Sequence, residues 1–104
     1  MTEVTEIFVL KMKDAGRAND IREKAREDFL SVEGVDSWKT YVTINPDRPT
    51  LFAEIYTFAD EKIAKKVTPQ FAKRELTKAF LGEIEEILVG QYFTEHQPLT
   101  GENK

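Results

Sequence analysis

The stretch that decides the fold is residues 37–58, Ser-Trp-Lys-Thr-Tyr-Val-Thr-Ile-Asn-Pro-Asp-Arg-Pro-Thr-Leu-Phe-Ala-Glu-Ile-Tyr-Thr-Phe. Two runs rich in β-branched and aromatic residues enclose a short segment that contains Pro46 and Pro49. Proline fixes φ and supplies no donor to a β-ladder, so this segment favours a turn between two extended strands. The stretch therefore predicts a β-hairpin.

The residues before the hairpin predict one strand and one helix. Residues 6–13 are apolar in the middle and bounded by charges, which favours a short central strand, and Asp14-Ala15-Gly16 is expected to form a break after it. From Asn19 or Asp20 to Ser31, apolar residues then recur at helical spacing, and either of the first two could cap the helix. Gly34 can adopt positive φ and is expected to end this helical segment.

The residues after the hairpin predict two helical stretches and a last strand. Asp60 is the expected N-cap of the first stretch, and Pro69 is expected to interrupt it, because proline lacks an N–H and disfavours helix at the preceding residue. The second stretch is expected to end near Gly82, and residues 86–95 predict the last strand. The order β-α-β-β-α-β predicts an α+β, ferredoxin-like fold, with helices on one face of a four-stranded antiparallel sheet.

Composition narrows the class of protein. A chain of 104 residues is expected to form one domain, over residues 1–96, followed by a polar, frayed tail over residues 97–104. The net charge of −4 argues against a nucleic-acid or membrane partner, and the absence of cysteine removes disulfides and thiolate ligands. The first residues are acidic and unlike a signal peptide, so the expected location is the cytoplasm.

The alternation of the third strand assigns its two faces. Leu51, Ala53 and Ile55 form a small apolar set that suits the side facing the helices. The opposite face would then carry three aromatic residues and one acid: Phe52, Glu54, Tyr56 and Phe58. A large apolar face on a soluble protein needs cover, so we expect a homodimer that packs sheet against sheet.

Glu54 is the sharpest candidate for a catalytic residue. A carboxylate inside a barrel would have a raised pKa and could serve as a general base. The competing structural interpretation is a cross-strand ion pair with Lys39, which depends on a hairpin register that the turn leaves ambiguous by one residue. The structural pair is the favoured interpretation of the two.

The remaining candidates are aromatic or basic residues that could line a small-molecule pocket: Trp38, Lys39, Tyr41, Tyr56, Phe58 and Tyr92. His96 is the only histidine and lacks the partners that a metal site requires. No phosphate-binding or dinucleotide-binding fingerprint is present. We therefore expect no metal and no cofactor.

Three segments resemble a known family. They are Phe-Ala-Glu-Ile-Tyr at 52–56, Asp-Glu-Lys-Ile-Ala at 60–64 and Thr-Pro-Gln-Phe at 68–71. Together they resemble the dimeric α+β barrel proteins of the antibiotic-biosynthesis-monooxygenase type, and the resemblance extends over residues 5–93. Lys65 and Gln70 stand where many members carry histidine, so no role of those histidines transfers to this chain.

The resemblance implies a homodimer that binds a small molecule between sheet and helices. It further implies a cofactor-independent monooxygenase-like enzyme acting on an aromatic or polyketide-like substrate, with Glu54 deprotonating a phenol or enol. The alternative is a non-catalytic binding or accessory protein of the same fold, because the family includes both kinds.

Overall fold

The structure of the protein is a computed structural model that describes residues 3–95. It contains four strands and three helices in the order β1 Val4–Met12, α1 Ala15–Leu30, β2 Ser37–Val42, β3 Leu51–Phe58, α2 Glu61–Phe71, α3 Glu75–Leu81 and β4 Ile84–Thr94. The predicted tail at 97–104 and His96 lie outside the described residues. Within the described range, no helix is long and apolar enough to cross a membrane.

The four strands form one antiparallel sheet in the order β2-β3-β1-β4. The helices pack on one face of this sheet, so the predicted ferredoxin-like α+β fold is confirmed. The hairpin pairs Trp38 with Tyr56 and Thr40 with Glu54, which settles the register that the sequence left open. β1 lies between β3 and β4, in the central position predicted for it.

Helix α1 begins earlier than predicted, and its cap is neither Asn19 nor Asp20. The Asp14 side chain accepts a hydrogen bond from the backbone N–H of Arg17 at 2.9 Å, and the helix follows directly. Gly16 was expected to belong to a break, but it lies in the first helical turn. Glycine costs a helix only about 1 kcal/mol, which a good cap and tertiary packing can offset.

Helix α2 is capped as predicted but ends later. The Asp60 side chain accepts from the backbone N–H of Ile63 at 2.8 Å. Pro69 lies inside the helix, which continues to Phe71 before the break. Thr68, which precedes the proline, is helical, and its hydroxyl lies 3.0 Å from the carbonyl oxygen of Ala64, within hydrogen-bond distance.

The prediction of which face of β3 meets the helices was wrong. The face with the large side chains is buried under the helices, and Phe52 and Phe58 are 2% and 0% exposed. Leu51, Ala53 and Ile55 lie on the opposite, open face and are only partly buried. Burying the large aromatic rings under the helices removes more apolar area from water than burying the smaller side chains of the other face would.

Candidate functional site

A cavity of about 170 Å³ lies between the sheet and the helices. Its walls are mainly apolar and come from both layers: Phe8, Leu10, Phe29, Phe71, Ala72, Phe80, Leu81, Ile84 and Ile87. The polar residues that line it are two acids and three hydroxyl-bearing residues: Glu6, Glu54, Tyr56, Thr68 and Thr77. A mainly apolar cavity with a few convergent polar groups is the usual form of a small-molecule site.

Glu6 is a buried carboxylate at the cavity wall. It lies on β1 and is 6% exposed. Burial raises the pKa of Glu6 to about 6, and a hydrogen bond from Thr68 only partly opposes this. No salt bridge reaches Glu6 among the described residues. Glu6 therefore changes protonation close to neutral pH and can accept a proton from a bound molecule.

Two hydroxyl groups connect Glu6 with the last strand. Thr68 of α2 donates to Glu6 Oε1 over 3.4 Å, and the oxygens of Thr68 and Tyr92 are 2.6 Å apart. A hydroxyl has one proton, which Thr68 can donate either to Glu6 or to the carbonyl of Ala64 at 3.0 Å, and in both cases Tyr92 donates to Thr68. When Thr68 donates to Glu6, this chain of side chains orients the Glu6 carboxylate.

Tyr56 lies directly opposite Glu6 on the neighbouring strand, and both side chains belong to the buried face. Its ring stacks on Trp38 with 5.5 Å between centroids and meets Phe71 at 5.4 Å. Burial, followed by the charges of Glu54 and Glu6, raises the pKa of Tyr56, so the phenol stays protonated. A buried, protonated phenol beside a carboxylate can donate a hydrogen bond to a ligand.

Glu54 is bonded through both of its carboxylate oxygens. Arg22 Nη1 lies 2.5 Å from Oε2, and Trp38 Nε1 donates to Oε1 over 3.1 Å. Burial raises the pKa of Glu54, and Arg22 and Trp38 oppose that shift. The cross-strand ion pair predicted with Lys39 was wrong, because Lys39 pairs with Ile55, on the other face of the sheet, and is exposed.

The structure brings together some of the residues predicted for the site and separates others. Glu54 and Tyr56 line the cavity, and Trp38 packs behind Tyr56. Phe58 is buried in the core without lining the cavity, and Tyr92 reaches the site through Thr68. Lys39 and Tyr41 are exposed and lie on the open face, the latter 51% exposed.

Sequence reasoning missed Glu6 and Arg22 as components of the site. Glu6 stands at the start of an apolar run, where the pattern indicates only a charge that bounds a strand. The alternation of side chains along the strand could have identified Glu6. Glu6, Phe8 and Leu10 occupy every second position and therefore lie on one face of β1. Arg22 belongs to the charged positions of α1, and only the packing of that helix on β3 brings it to Glu54.

Among residues 3–95, no cluster of three His, Cys, Asp or Glu side chains could hold a metal ion. The cavity lining combines two acids and three hydroxyl-bearing residues with apolar walls. These polar groups can donate and accept hydrogen bonds, and the acids can accept protons.

The sequence matches no protein-family profile and no curated protein sequence. The fold, in contrast, matches solved structures along almost the whole chain. SnoaB from Streptomyces nogalater, a cofactor-independent oxygenase, superimposes with a TM-score of 0.72 at 15% identity, covering 95% of this chain and 98% of its own. A hydroxynitrile lyase from Passiflora edulis superimposes with a TM-score of 0.71 at 18% identity, covering 93% of this chain and 96% of its own.

A dabb-family protein with a ferredoxin-like fold from Mesorhizobium loti gives a TM-score of 0.69 at 15% identity, covering 93% of this chain and 100% of its own. Candidate antibiotic biosynthesis monooxygenases are among the other similar structures. At these identities the likeness is one of fold. The protein has the ferredoxin-like fold of the dimeric α+β barrel proteins, as the resemblance in sequence indicated.

Proposed function

We propose that the protein binds a small, mainly apolar molecule in the cavity between sheet and helices and removes a proton from it, with Glu6 as the general base. The observation that supports this most strongly is a carboxylate with a pKa of about 6 facing an apolar cavity. A base of that pKa is ionised at neutral pH and still holds a proton well enough to pass it on. Glu54, the base expected from sequence, has both oxygens engaged and is better suited to a supporting role.

A more specific form of this proposal is that the protein is an oxygenase. Proton removal from an electron-rich ring compound leaves an anion, which can react with O₂ without a cofactor. In the net reaction a ring CH₂ and O₂ become C=O and H₂O, and the substrate supplies all four electrons. The similarity of the fold to a cofactor-independent oxygenase supports an enzyme of this monooxygenase-like kind on an aromatic or polyketide-like substrate.

The fold is also similar to that of a hydroxynitrile lyase, so the fold alone does not determine the reaction. The competing function is a binding or accessory protein that uses the same cavity without turnover. In that case the buried acids only shape and polarise the cavity.

The experiment is a screen of bicyclic carbon and oxygen acids, such as 2-tetralone and the dihydroxynaphthalenes, in D₂O. Deuterium uptake is followed by NMR, O₂ by an electrode and binding by calorimetry. Wild-type protein should catalyse exchange, and Glu6→Gln should slow it by about 10²–10⁴-fold while binding persists. The matched control is Glu33→Gln, which removes an exposed carboxylate that does not line the cavity.

Each outcome of the screen is informative. Exchange accompanied by O₂ uptake supports the oxygenase, and exchange without O₂ uptake leaves a proton-transfer enzyme. Binding without exchange would overturn the catalytic proposal in favour of the accessory protein. Loss of exchange in Glu54→Gln but not in Glu6→Gln would return the role of base to Glu54.

We also propose that the protein is a homodimer. The open face of the sheet is apolar at its centre, where Ile7 pairs with Ile55 and Val9 with Ala53. Tyr41 and Phe93 on the flanking strands are 51% and 40% exposed. A second copy packed face to face would cover this surface by two-fold symmetry.

A further inference from the structure

We infer that Glu6 and Tyr56 form an enolisation pair, and that the substrate is a small neutral ketone of one or two rings. This rests on the proposed function of Glu6 as a base and extends it in two respects. It gives Tyr56 a catalytic role, and it names the class of substrate.

The first step of the argument is the geometry of the two strands. Glu6 and Tyr56 are direct cross-strand partners on the buried face, and residues so paired have Cβ atoms about 4.5–5.5 Å apart. Both residues also line the same cavity, so one bound ketone can meet the carboxylate with its α-carbon and the phenol with its carbonyl oxygen. Removal of a proton next to a carbonyl needs both, because the negative charge develops on the oxygen.

The second step is the state of the Tyr56 hydroxyl. Within the described residues it makes no hydrogen bond, and its oxygen is not among the fully buried atoms that lack a partner, so it is open to the cavity that Tyr56 lines. A protonated phenol without a partner is available to a ligand, and the surrounding rings of Trp38, Phe8 and Phe71 hold it in place.

The third step is the charge of the cavity. Two carboxylates line it, and no Lys or Arg does. Arg22, the nearby cation, is bound to Glu54, with its guanidinium carbon 4.2 Å from the centre of the Phe52 ring. An anionic ligand would meet carboxylates without a free cation, so a neutral ligand is preferred.

The fourth step is size. An engineered apolar cavity of about 150 Å³ holds one benzene molecule, and this cavity of about 170 Å³ is only slightly larger. Leu81 and Ile87, which also line the cavity, are 50% and 56% exposed, so the cavity opens to solvent near residues that a second ring could contact. A ligand of one or two rings therefore suits this volume better than a polyketide of four fused rings.

The reaction step is balanced without any further reagent. The Cα–H bond breaks and its proton moves to the Glu6 carboxylate. The electron pair of that bond forms the C=C bond, while the carbonyl π pair moves to the oxygen, which accepts a hydrogen bond from Tyr56. In D₂O, Glu6 exchanges its proton with solvent and returns a deuteron to carbon.

The test measures deuterium exchange of 2-tetralone and the binding of a series of substituted 2-naphthols, which mimic its enol. Among naphthols that are neutral at the pH of the assay, affinity should rise as the naphthol becomes less acidic, because a more basic oxygen accepts a stronger hydrogen bond from Tyr56. Tyr56→Phe should flatten that dependence and slow exchange at least tenfold. The matched control is Tyr41→Phe, an exposed tyrosine on the other face, which should behave as wild type.

Selectivity is measured on the same protein with probes matched in shape. 2-Naphthol should bind at least tenfold more tightly than 2-naphthoic acid at pH 8, and the tetracyclic 1-hydroxypyrene should not bind. If 2-naphthoic acid binds as tightly as 2-naphthol, the inference that the ligand is neutral is wrong. If 1-hydroxypyrene binds tightly, the inference about the size of the ligand is wrong. If wild type catalyses exchange and Tyr56→Phe does so equally well, the Tyr56 role fails while Glu6 as base stands. If wild type catalyses no exchange, the proposed function itself fails.

Discussion

Arg22 of α1 and Glu54 of β3 form a buried ion pair, with 2.5 Å between Nη1 and Oε2, and both side chains are almost fully enclosed. The pair joins the longest helix to the middle of a strand in the sheet. Trp38 donates to the other carboxylate oxygen, and the guanidinium lies over Phe52. This cluster fixes the wall of the cavity behind Tyr56.

Breaking the pair from one side should destabilise the protein strongly. Arg22→Met leaves a buried, unpaired carboxylate, and the expected loss is about 3–5 kcal/mol in the free energy of unfolding. Urea denaturation measures it. Arg17→Met, which removes the exposed partner of Asp14, should cost no more than about 1 kcal/mol. In the double variant Arg22→Met/Glu54→Met stability should largely return, and a loss equal to the sum of the single losses would contradict this account.

Glu6 should make stability depend on pH. Its pKa is raised from 4.5 to about 6 in the folded protein, so the folded state binds a proton more tightly than the unfolded state. The free energy of unfolding therefore falls as pH rises from 4.5 to about 6, because the folded protein must then bury an ionised Glu6. It stays lower above that range. At about 1.4 kcal/mol per pKa unit, Glu6→Gln should gain about 2 kcal/mol over wild type at pH 8 and nothing at pH 4.

The measurement for Glu6 is thermal and urea unfolding of both proteins from pH 4 to pH 8. Other titratable groups near the site are Glu54 and Tyr56 on β3, Tyr92 on β4 and Lys65 on α2, which is paired with Glu61. They are present in both proteins, so the difference between the two curves reports Glu6. A constant difference across the range would show that Glu6 is not the group that titrates.

Gly34 should resist substitution. Its φ is +105°, and a Cβ there would lie 2.7 Å from Val67 Cγ2 and 3.0 Å from Ile63 Cγ2. Strain and overpacking should make Gly34→Ala cost about 2 kcal/mol or more in urea denaturation. Gly82→Ala is the matched control, since φ there is −65° and the nearest contact is 3.4 Å, and its effect should stay within about 1 kcal/mol. Equal losses in both variants would refute the conformational argument.

A charge at the centre of the open face should separate the proposed dimer. Ile55→Asp places a carboxylate where the partner sheet would pack, and burying an unpaired charge is costly. Light scattering after gel filtration should give a dimer for wild type and a monomer for the variant, with circular dichroism checking that the fold persists. Lys24→Asp, on the exposed side of α1, should stay dimeric. A monomeric wild type would remove the dimer from the proposal.

The order of elements was predictable from sequence because it depends on local patterns. The hairpin at 37–58, the cap at Asp60 and the positive φ of Gly34 follow from residue types and their spacing. The start of α1 was predicted too late because glycine disfavours a helix locally, whereas the Asp14 cap and tertiary packing offset that cost. Parity correctly separated the two faces of β3, but it could not say which of them the helices cover.

The site itself was decided by tertiary structure. The sequence alone marked Glu54 and Tyr56 as members of one strand face, and both line the cavity. Only the packing of α1 brings Arg22 to Glu54, 32 positions along the chain, and only the pairing of β1 with β3 places Glu6 beside Tyr56. Burial and distance set the charge and the partners of each carboxylate, and both arise from contacts between residues far apart in sequence.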